Sequence, residues 1–382
     1  MDRRGQLTLF AASLMAMALG QVHSFSVFLA SAEERFDASR SAVGFSYSLA
    51  LITLTLAVLW GPRIYGKWST IQLSGIAFAG AIVGLLIAGF APNLIAVWIG
   101  YGVIFGVANG IGYGFGLQIA AQANPASKGM AMGTVTAAYA LGAVVTSPIL
   151  GAVVGAHGFT AGMLTSLVFV AASGVLSLLM FVMGNAAFVS PDKTAHGEGV
   201  SMRVVAGLWL GYGTVVLAGL MVIGHASGIL VSRAPDSVGW VAPILIAIFN
   251  LIGSFVMALA SDRTGQRPVL VGMAALTFIG LAALFATTNG WIVLPMLCLL
   301  GFAYGGTIAV WPAAIANRFG LIESPVIYGR VFTAWGTAGL IGPWIAGRSF
   351  DLGNSYQTAF GAAAGLAILG MIMTSRVLKT AD

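Results

Sequence analysis

Long apolar stretches, separated by short polar connections, repeat along the whole chain. Each has about 20 residues or more, the length with which an α-helix crosses the ~30 Å hydrocarbon core of a bilayer. Twelve stretches can be placed, at residues 7–32, 41–61, 70–91, 94–121, 129–155, 159–184, 203–232, 238–260, 268–287, 290–317, 326–349 and 355–377. The pattern therefore predicts an all-α membrane protein with twelve transmembrane helices.

The longest polar segment lies near the middle of the chain, between the sixth and seventh predicted spans. Because it separates six spans from six, it predicts two bundles of equal helix number. The predicted parts are an N-terminal six-helix bundle at 1–184, a central cytoplasmic loop at 185–202 and a C-terminal six-helix bundle at 203–382.

Corresponding residues in the two halves indicate an internal repeat. Gly106 and Gly301 are 195 positions apart, and so are Pro148 and Pro343. Weak internal symmetry of this kind is typical of transporters whose two halves are related by an axis along the membrane normal. We therefore predict two pseudo-symmetric bundles with a central cavity between them.

The distribution of positive charge tests the order of the spans. With the N-terminus inside the cell and alternating spans, 13 of the 17 Lys and Arg residues are cytoplasmic and four are external. Lys and Arg are enriched in the cytoplasmic loops of membrane proteins. The bias predicts a multi-pass protein of the plasma (inner) membrane, with both termini in the cytoplasm.

Composition excludes the soluble classes of protein. Hydrophobic residues form 59% of the chain and charged residues 7%, whereas a soluble domain has roughly 25% charged residues. The net charge of +6 reflects loop residues and does not predict a nucleic-acid partner. The chain has one cysteine and no recognisable phosphate loop, zinc motif or nucleophile triad. We expect no metal, no cofactor and no enzymatic activity.

Two histidines within the spans are candidates for chemistry. His23 lies in the first span, and His225 lies 202 positions later in the seventh. An ionisable group inside a membrane is costly to place there and is usually functional. Histidine also changes charge near neutral pH. We predict that His23 contacts an anionic substrate or takes a coupled proton, with His225 as its counterpart.

Polar and aromatic residues of other spans extend the candidate site. Asn109 and Tyr113 are four residues apart and share one face of the fourth span. A buried Asn in lipid needs a hydrogen-bond partner, which either a neighbouring helix or a ligand can supply. The remaining cavity candidates are Tyr139, Asn250, Tyr304 and Trp335.

Glycines and prolines predict how some spans pack and bend. Four glycines of the fourth span, at four-residue spacing, predict a close approach by another helix; they are Gly102, Gly106, Gly110 and Gly114. Pro148 and Pro343 each remove a backbone hydrogen bond from a helix and predict a kink. Such kinks are either static or points at which the helices bend during gating.

Several short motifs along the chain have the order and spacing of a known protein family. They are Ser24-Phe25-Ser26-Val27-Phe28-Leu29, Gly110-Ile111-Gly112-Tyr113, Gly219-Leu220-Met221-Val222-Ile223-Gly224-His225, Gly301-Phe302-Ala303-Tyr304-Gly305 and Gly339-Leu340-Ile341-Gly342-Pro343. Asp262-Arg263-Thr264-Gly265-Gln266-Arg267 follows the eighth span. With these motifs the chain resembles the major facilitator superfamily, and more narrowly the monocarboxylate transporter and oxalate–formate antiporter group. The resemblance implies a gating role for Asp262, Arg263 and Arg267, and a role in substrate size for Tyr304.

The chain departs from that group at several positions. In animal monocarboxylate carriers a key lysine stands at the position of His23, and an Asp and an Arg stand at those of Asn250 and Ser254. The fixed cation and its acidic partner are therefore both missing. The counterpart of the Asp262 motif after the second span, residues 61–67, has no Asp.

These features together predict a secondary active transporter of a small organic acid, a monocarboxylate-like anion, working by alternating access. Its expected partners are the anion, a proton or counter-anion, and the lipid bilayer. An alternative is a proton-coupled exporter of a neutral or lipophilic compound, which an aromatic cavity without fixed charge also suits. An alternative of another class is a non-transporting membrane sensor.

Overall fold

The computed structural model describes residues 2–124, 128–189 and 200–379, without the side chains of 128–129 and 320–325. Helices make up nearly all of this part of the chain, and it contains no strand. The chain divides into two compact units, Met1–Asp192 and Lys193–Asp382. The predicted central loop falls partly on residues 190–199, outside the described residues, so the predicted domain boundaries stay predictions.

The described residues of the N-terminal unit form six long helices. Two of them form one continuous segment, Lys128–Met183, which is broken at Gly158 by non-helical angles of φ 76° and ψ −172°. Its 56 residues would extend for ~84 Å as one straight helix, far more than one crossing requires. The helices are α1 (Arg3–Phe36), α2 (Arg40–Trp60), α3 (Thr70–Gly89), α4 (Leu94–Ala123), α5 (128–157) and α6 (159–183).

The described residues of the C-terminal unit also form six long helices. Its segment Gly290–Gly353 is helical throughout, yet Trp335 Nε1 donates a hydrogen bond of 2.8 Å to Tyr304 Oη, 31 residues away. A straight helix would separate these residues by ~46 Å, so the chain reverses direction between them. The helices are α7 (Met202–Arg233), α8 (Val241–Thr264), α9 (Gln266–Ala286), α10 (Gly290–Phe319), α11 (326–353) and α12 (Gln357–Val377).

Ten helices in the described residues are long and apolar enough to cross a membrane, with α5 and α6 counted as one and α11 not included. Division at Gly158 and the reversal of the chain before α11 give twelve long helices in the described residues, at the positions of the twelve predicted spans. The predicted all-α membrane fold is therefore confirmed.

The glycine stripe of α4 packs against α2. A methyl group added at Gly106 would meet the backbone of Ala50, and one added at Gly110 would meet the carbonyl oxygen of Leu54. In the C-terminal unit, Gly301 of α10 lies in the same way against Ile246 of α8. The close approach that the stripe predicted is confirmed, because small residues let two helix backbones touch.

In each unit, an arginine at the C-terminal end of the first helix bonds to a backbone carbonyl of a neighbouring segment. Arg35, at the end of α1, donates to a backbone carbonyl just beyond α3 and lies 5.8 Å from the ring centre of Phe159. Arg233, at the end of α7, donates to the carbonyl of Leu284 in the last turn of α9 and lies 5.7 Å from the ring centre of Phe360. Cations suit helix C-termini, where carbonyls lack helical partners. The sequence alone showed these arginines only as loop charges.

The turn after α2, which contains no Asp, buries an aromatic side chain. Tyr65 packs edge-on against Phe115 of α4 at 5.5 Å and against Phe188 at 6.1 Å. Gln122 exchanges two hydrogen bonds with the backbone of Val189, at 2.6 and 3.0 Å. The chain that follows α6 is thereby held against the end of α4.

We predict that Gly110→Ala destabilises the protein by about 1–3 kcal/mol, the usual cost of overpacking a tight contact. The added methyl group would meet backbone atoms of α2, which cannot move aside as a side chain can. Thermal unfolding in detergent measures the effect. Gly75→Ala is the matched control, since no atom lies within 4 Å of its added methyl group. Equal melting temperatures for the two variants would contradict the packing role of Gly110.

Candidate functional site

The helix that carries His23 changes geometry around it. Helix α1 is α-helical over Arg3–Gly20, 3₁₀-helical over Gln21–Phe28 and α-helical again over Leu29–Phe36. A 3₁₀ stretch in the middle of a long helix often marks a hinge or a functional site. The sequence of Gln21–Phe28 contains no Gly or Pro that would have revealed it.

Side chains of α4 bond to the backbone of α1 at this change of geometry. Asn109 Nδ2 donates to the carbonyl of Leu19 at 2.8 Å, and Tyr101 Oη donates to the carbonyl of Val22 at 3.3 Å. A bilayer offers no water to a polar backbone group, so the protein must supply the partner. Asn109 and Tyr101 thus stabilise the distorted stretch that presents His23.

Helix α5 approaches the same stretch closely enough to require glycine on both sides. Gly20 of α1 faces the backbone carbonyl of Tyr139, and Gly142 of α5 faces the carbonyl of Met17. A Cβ atom at either glycine would overlap backbone atoms of the other helix. This contact places Tyr139 beside His23.

His23 is half-buried and is held by two aromatic residues. Its Nδ1 atom lies 2.7 Å from the hydroxyl of Tyr47 in α2. The ring of Tyr139 meets the imidazole edge-to-face at 5.5 Å between centres. Among the described residues, His23 makes no other hydrogen bond. Its Nε2 atom is not one of the fully buried polar atoms that lack a partner, so it keeps some accessible surface. One ring nitrogen is therefore available to a ligand.

Tyr139 is itself anchored by predicted site residues. Its hydroxyl donates to Asn109 Oδ1 at 3.1 Å, and its ring lies 4.5 Å from the ring of Tyr113. Asn109 has no exposed surface, and both ends of its amide are bonded within the unit. The structure thus joins His23, Tyr139, Tyr113 and Asn109 in one network, in which Asn109 positions Tyr139.

A cluster of buried hydroxyl groups joins α1 to α5 next to Pro148. The oxygen atoms of Ser24 and Thr146 are 2.8 Å apart, and Ser147 donates to Ser24 at 3.0 Å. All three side chains are buried. These bonds hold α5 to α1 at the proline, while the predicted gating role of Pro148 stays a prediction.

His225 has a different environment from His23. Helix α7 is a regular α-helix along its whole length. His225 is fully buried, with Nε2 2.8 Å from the carbonyl of Pro343 and Nδ1 3.3 Å from the hydroxyl of Tyr356. Because a carbonyl only accepts, Nε2 carries the hydrogen. Both nitrogens are therefore occupied within the unit, and His225 ties α7 to α11 at Pro343.

The other candidates of the C-terminal unit form separate contacts. Ser254 Oγ donates to the backbone carbonyl of Asn250 at 2.9 Å, one turn earlier in α8, and the Asn250 side chain is half-buried. Tyr304 accepts the hydrogen bond from Trp335, whose ring stacks on Phe332 at 5.5 Å. This pairing of α10 with α11 parallels the bond from Tyr139 to Asn109 between α5 and α4.

The predicted gating motif forms the turn between α8 and α9. Asp262 and Arg263 are exposed at the end of α8. Gly265 has φ 86°, a left-handed conformation that favours glycine. Arg267 Nε donates to the carbonyl of Ser375 in α12 at 3.0 Å. The motif thus connects three helices of its own unit, and its role in gating stays a prediction.

Comparison with known proteins gives the class. Residues 208–381 match the family model of the Major Facilitator Superfamily. An uncharacterized MFS-type transporter of Escherichia coli (strain K12), YhjX, is 27% identical over 361 residues, covering 88% of this chain and 86% of that protein. The oxalate:formate antiporter of Oxalobacter formigenes is 25% identical over 368 residues, covering 92% of this chain and 85% of that protein.

The fold also matches a solved transporter. The xylose transporter XylE from E. coli, in a partially occluded inward open conformation, superposes with a TM-score of 0.73 at 15% identity, covering 97% of each chain. The chain therefore has the major facilitator fold, and its resemblance to that superfamily is confirmed. It is a multi-pass integral membrane protein, and the partial family-model match and the fold together point to a transporter rather than an enzyme.

Sequence reasoning overlooked Tyr47 and Tyr101. Tyr47 stands in the polar run Ser46-Tyr47-Ser48 within an otherwise apolar span. That run was an available signal, because polar residues in a span usually face a partner or a cavity. Tyr101 offered no comparable signal, since its partner is a backbone carbonyl of a distant helix.

We predict that His225→Leu lowers stability by about 1–3 kcal/mol, because it leaves two buried polar groups, on Pro343 and Tyr356, without their partner. Thermal unfolding in detergent is the measurement. Transport by the folded fraction should persist, since His225 has no free ring nitrogen. A variant that is as stable as wild type but inactive would instead show that His225 acts directly in transport.

Proposed function

We propose that this chain is a secondary active transporter of a small organic acid. The observation that carries the proposal is His23, half-buried in the distorted part of α1 with Nδ1 held by Tyr47 and Nε2 available. An imidazole N–H is a suitable donor for a carboxylate oxygen. Alternating access is the mechanism that we propose, since paired bundles of this kind move by it.

The acidic residues of α1 lie away from His23, so they do not oppose an anion there. The acidic residues of α1, Glu33 and Glu34, lie more than two turns away from His23, near the helix end. Glu33 is paired there with Arg40, whose Nε lies 2.5 Å from its carboxylate. No carboxylate among the described residues contacts His23 and would repel an anion.

One relative supports the same class of cargo. One protein that is 25% identical over most of its length is described as an oxalate:formate antiporter. We propose a monocarboxylate-like anion exchanged for another anion or carried with a proton. The plasma membrane and cytoplasmic termini complete the proposal, on the basis of the 13-to-4 distribution of Lys and Arg.

A second candidate function is the proton-coupled export of a lipophilic compound. The C-terminal unit has an apolar groove of about 630 Å³ between α8, α9 and α10, lined among others by Leu245, Phe249, Leu276 and Phe302. Such a groove accepts an apolar molecule without any charged partner. The two functions differ in whether carboxylates compete with the transported compound.

Uptake into liposomes tests the proposal. The purified protein is reconstituted and offered labelled monocarboxylates and oxalate, either with an imposed pH gradient or with unlabelled anion inside. Wild-type protein should take up at least one acid. His23→Ala should lower uptake roughly 10-fold or more, the effect of losing a hydrogen bond to a charged group.

His157→Ala is the matched control, because His157 is exposed on the same unit. It should transport as wild type does. Uptake of none of the acids, together with carboxylate-insensitive transport of a hydrophobic dye, would favour the lipophilic alternative. Equal uptake by the His23 and His157 variants would show that His23 does not belong to the substrate site.

A further inference from the structure

We propose that Tyr47 sets the tautomer of His23, so that Nε2 carries the hydrogen and donates it to the substrate carboxylate. For its ligand, this inference rests on the proposed function. The inference about the tautomer rests on the contact between the two side chains, in which Tyr47 Oη lies 2.7 Å from His23 Nδ1.

Tyr47 is well placed to act as a fixed donor. Its side chain has no exposed surface, and its ring stacks on Phe25 with 5.9 Å between centres and 12° between planes. Phe25 in turn packs against Tyr101 at 5.0 Å, the residue that bonds the backbone of Val22. The hydroxyl position is therefore fixed by the same aromatic packing that holds the 3₁₀ stretch.

The direction of this hydrogen bond decides what the free nitrogen can bind. If the hydroxyl of Tyr47 donates to Nδ1, the hydrogen of a neutral imidazole lies on Nε2, which then suits a carboxylate oxygen. If Nδ1 donates to Tyr47 instead, Nε2 is an acceptor and repels a carboxylate. Tyr47 thus acts as a positioning residue that selects the chemical class of substrate.

The edge-to-face contact with Tyr139 limits the alternatives. The planes of the two rings are 82° apart, so rotation of the imidazole by a half turn would have to pass this ring. With Nδ1 directed at Tyr47, Nε2 is left as the atom that a substrate can reach.

Two amide substitutions distinguish the roles of the two ring nitrogens of His23. The amide nitrogen of Gln reaches the position of Nε2, and that of Asn reaches the position of Nδ1. In liposome uptake, His23→Gln should retain about a third of the wild-type rate, whereas His23→Asn should fall as low as His23→Ala, because only Gln keeps a donor for the carboxylate. The reverse order would overturn the assignment.

Tyr47→Phe keeps the ring stack but removes the hydroxyl. It should raise the KM for the acid about 10-fold with little change in kcat, because one hydrogen bond to the bound anion is no longer fixed. In the His23→Gln background the same substitution should have no further effect, since an amide has no tautomer to set. An equal effect in both backgrounds, or none in either, would show that Tyr47 does not act through His23.

A measurement without substrate keeps this inference separate from the proposed function. The ¹⁵N chemical shifts of the imidazole, assigned by their loss in His23→Gln, report which nitrogen is protonated. Hydrogen on Nε2 in wild type, with a mixed population in Tyr47→Phe, supports the proposal even if no organic acid is transported. Hydrogen on Nδ1 in wild type overturns it, whatever the protein transports.

Discussion

A backbone carbonyl inside a bilayer has no water to bond with, and this constraint shapes the N-terminal unit. Where α1 passes from α-helix to 3₁₀-helix, the carbonyls of Leu19 and Val22 accept hydrogen bonds from Asn109 and Tyr101 of α4. Helix α4 lies close to α1 at Gly112 and Gly116, where an added methyl group would meet the side chains of Leu19 and Met15. The distorted stretch that presents His23 therefore depends on the packing of the surrounding helices.

The two histidines, predicted from the sequence to be counterparts, differ in structure. His225 lies in a regular helix, and both of its ring nitrogens are bonded within its own unit. His23 lies in a 3₁₀ stretch and leaves one nitrogen available. One histidine thus connects helices of its own unit, and the other has a ring nitrogen open to a ligand. This difference is the physical basis for placing substrate contact in the N-terminal unit.

The sequence predicted features that local pattern determines. The spans follow from apolar length, and the packing of α4 follows from Gly102, Gly106, Gly110 and Gly114 at helical spacing. His23 stood out because an ionisable residue is costly in lipid. Contacts between distant helices had no such local signal. The bond from Tyr47 to His23 joins residues 24 positions apart, and the bond from Asn109 to Leu19 joins residues 90 apart. The change of α1 to 3₁₀ geometry also depends on those contacts.

Binding of a substrate to the histidines tests the central claim most directly, namely that a substrate reaches His23 and not His225. The ¹⁵N chemical shifts of the imidazoles are measured in the reconstituted protein with and without a saturating transported acid, and are assigned by their loss in His23→Gln and His225→Leu. The exposed His157 serves as the internal reference. We expect the acid to shift the Nε2 signal of His23, while the signals of His225 stay unchanged. An unchanged His23, or a shift that appears at His225 instead, would contradict the account.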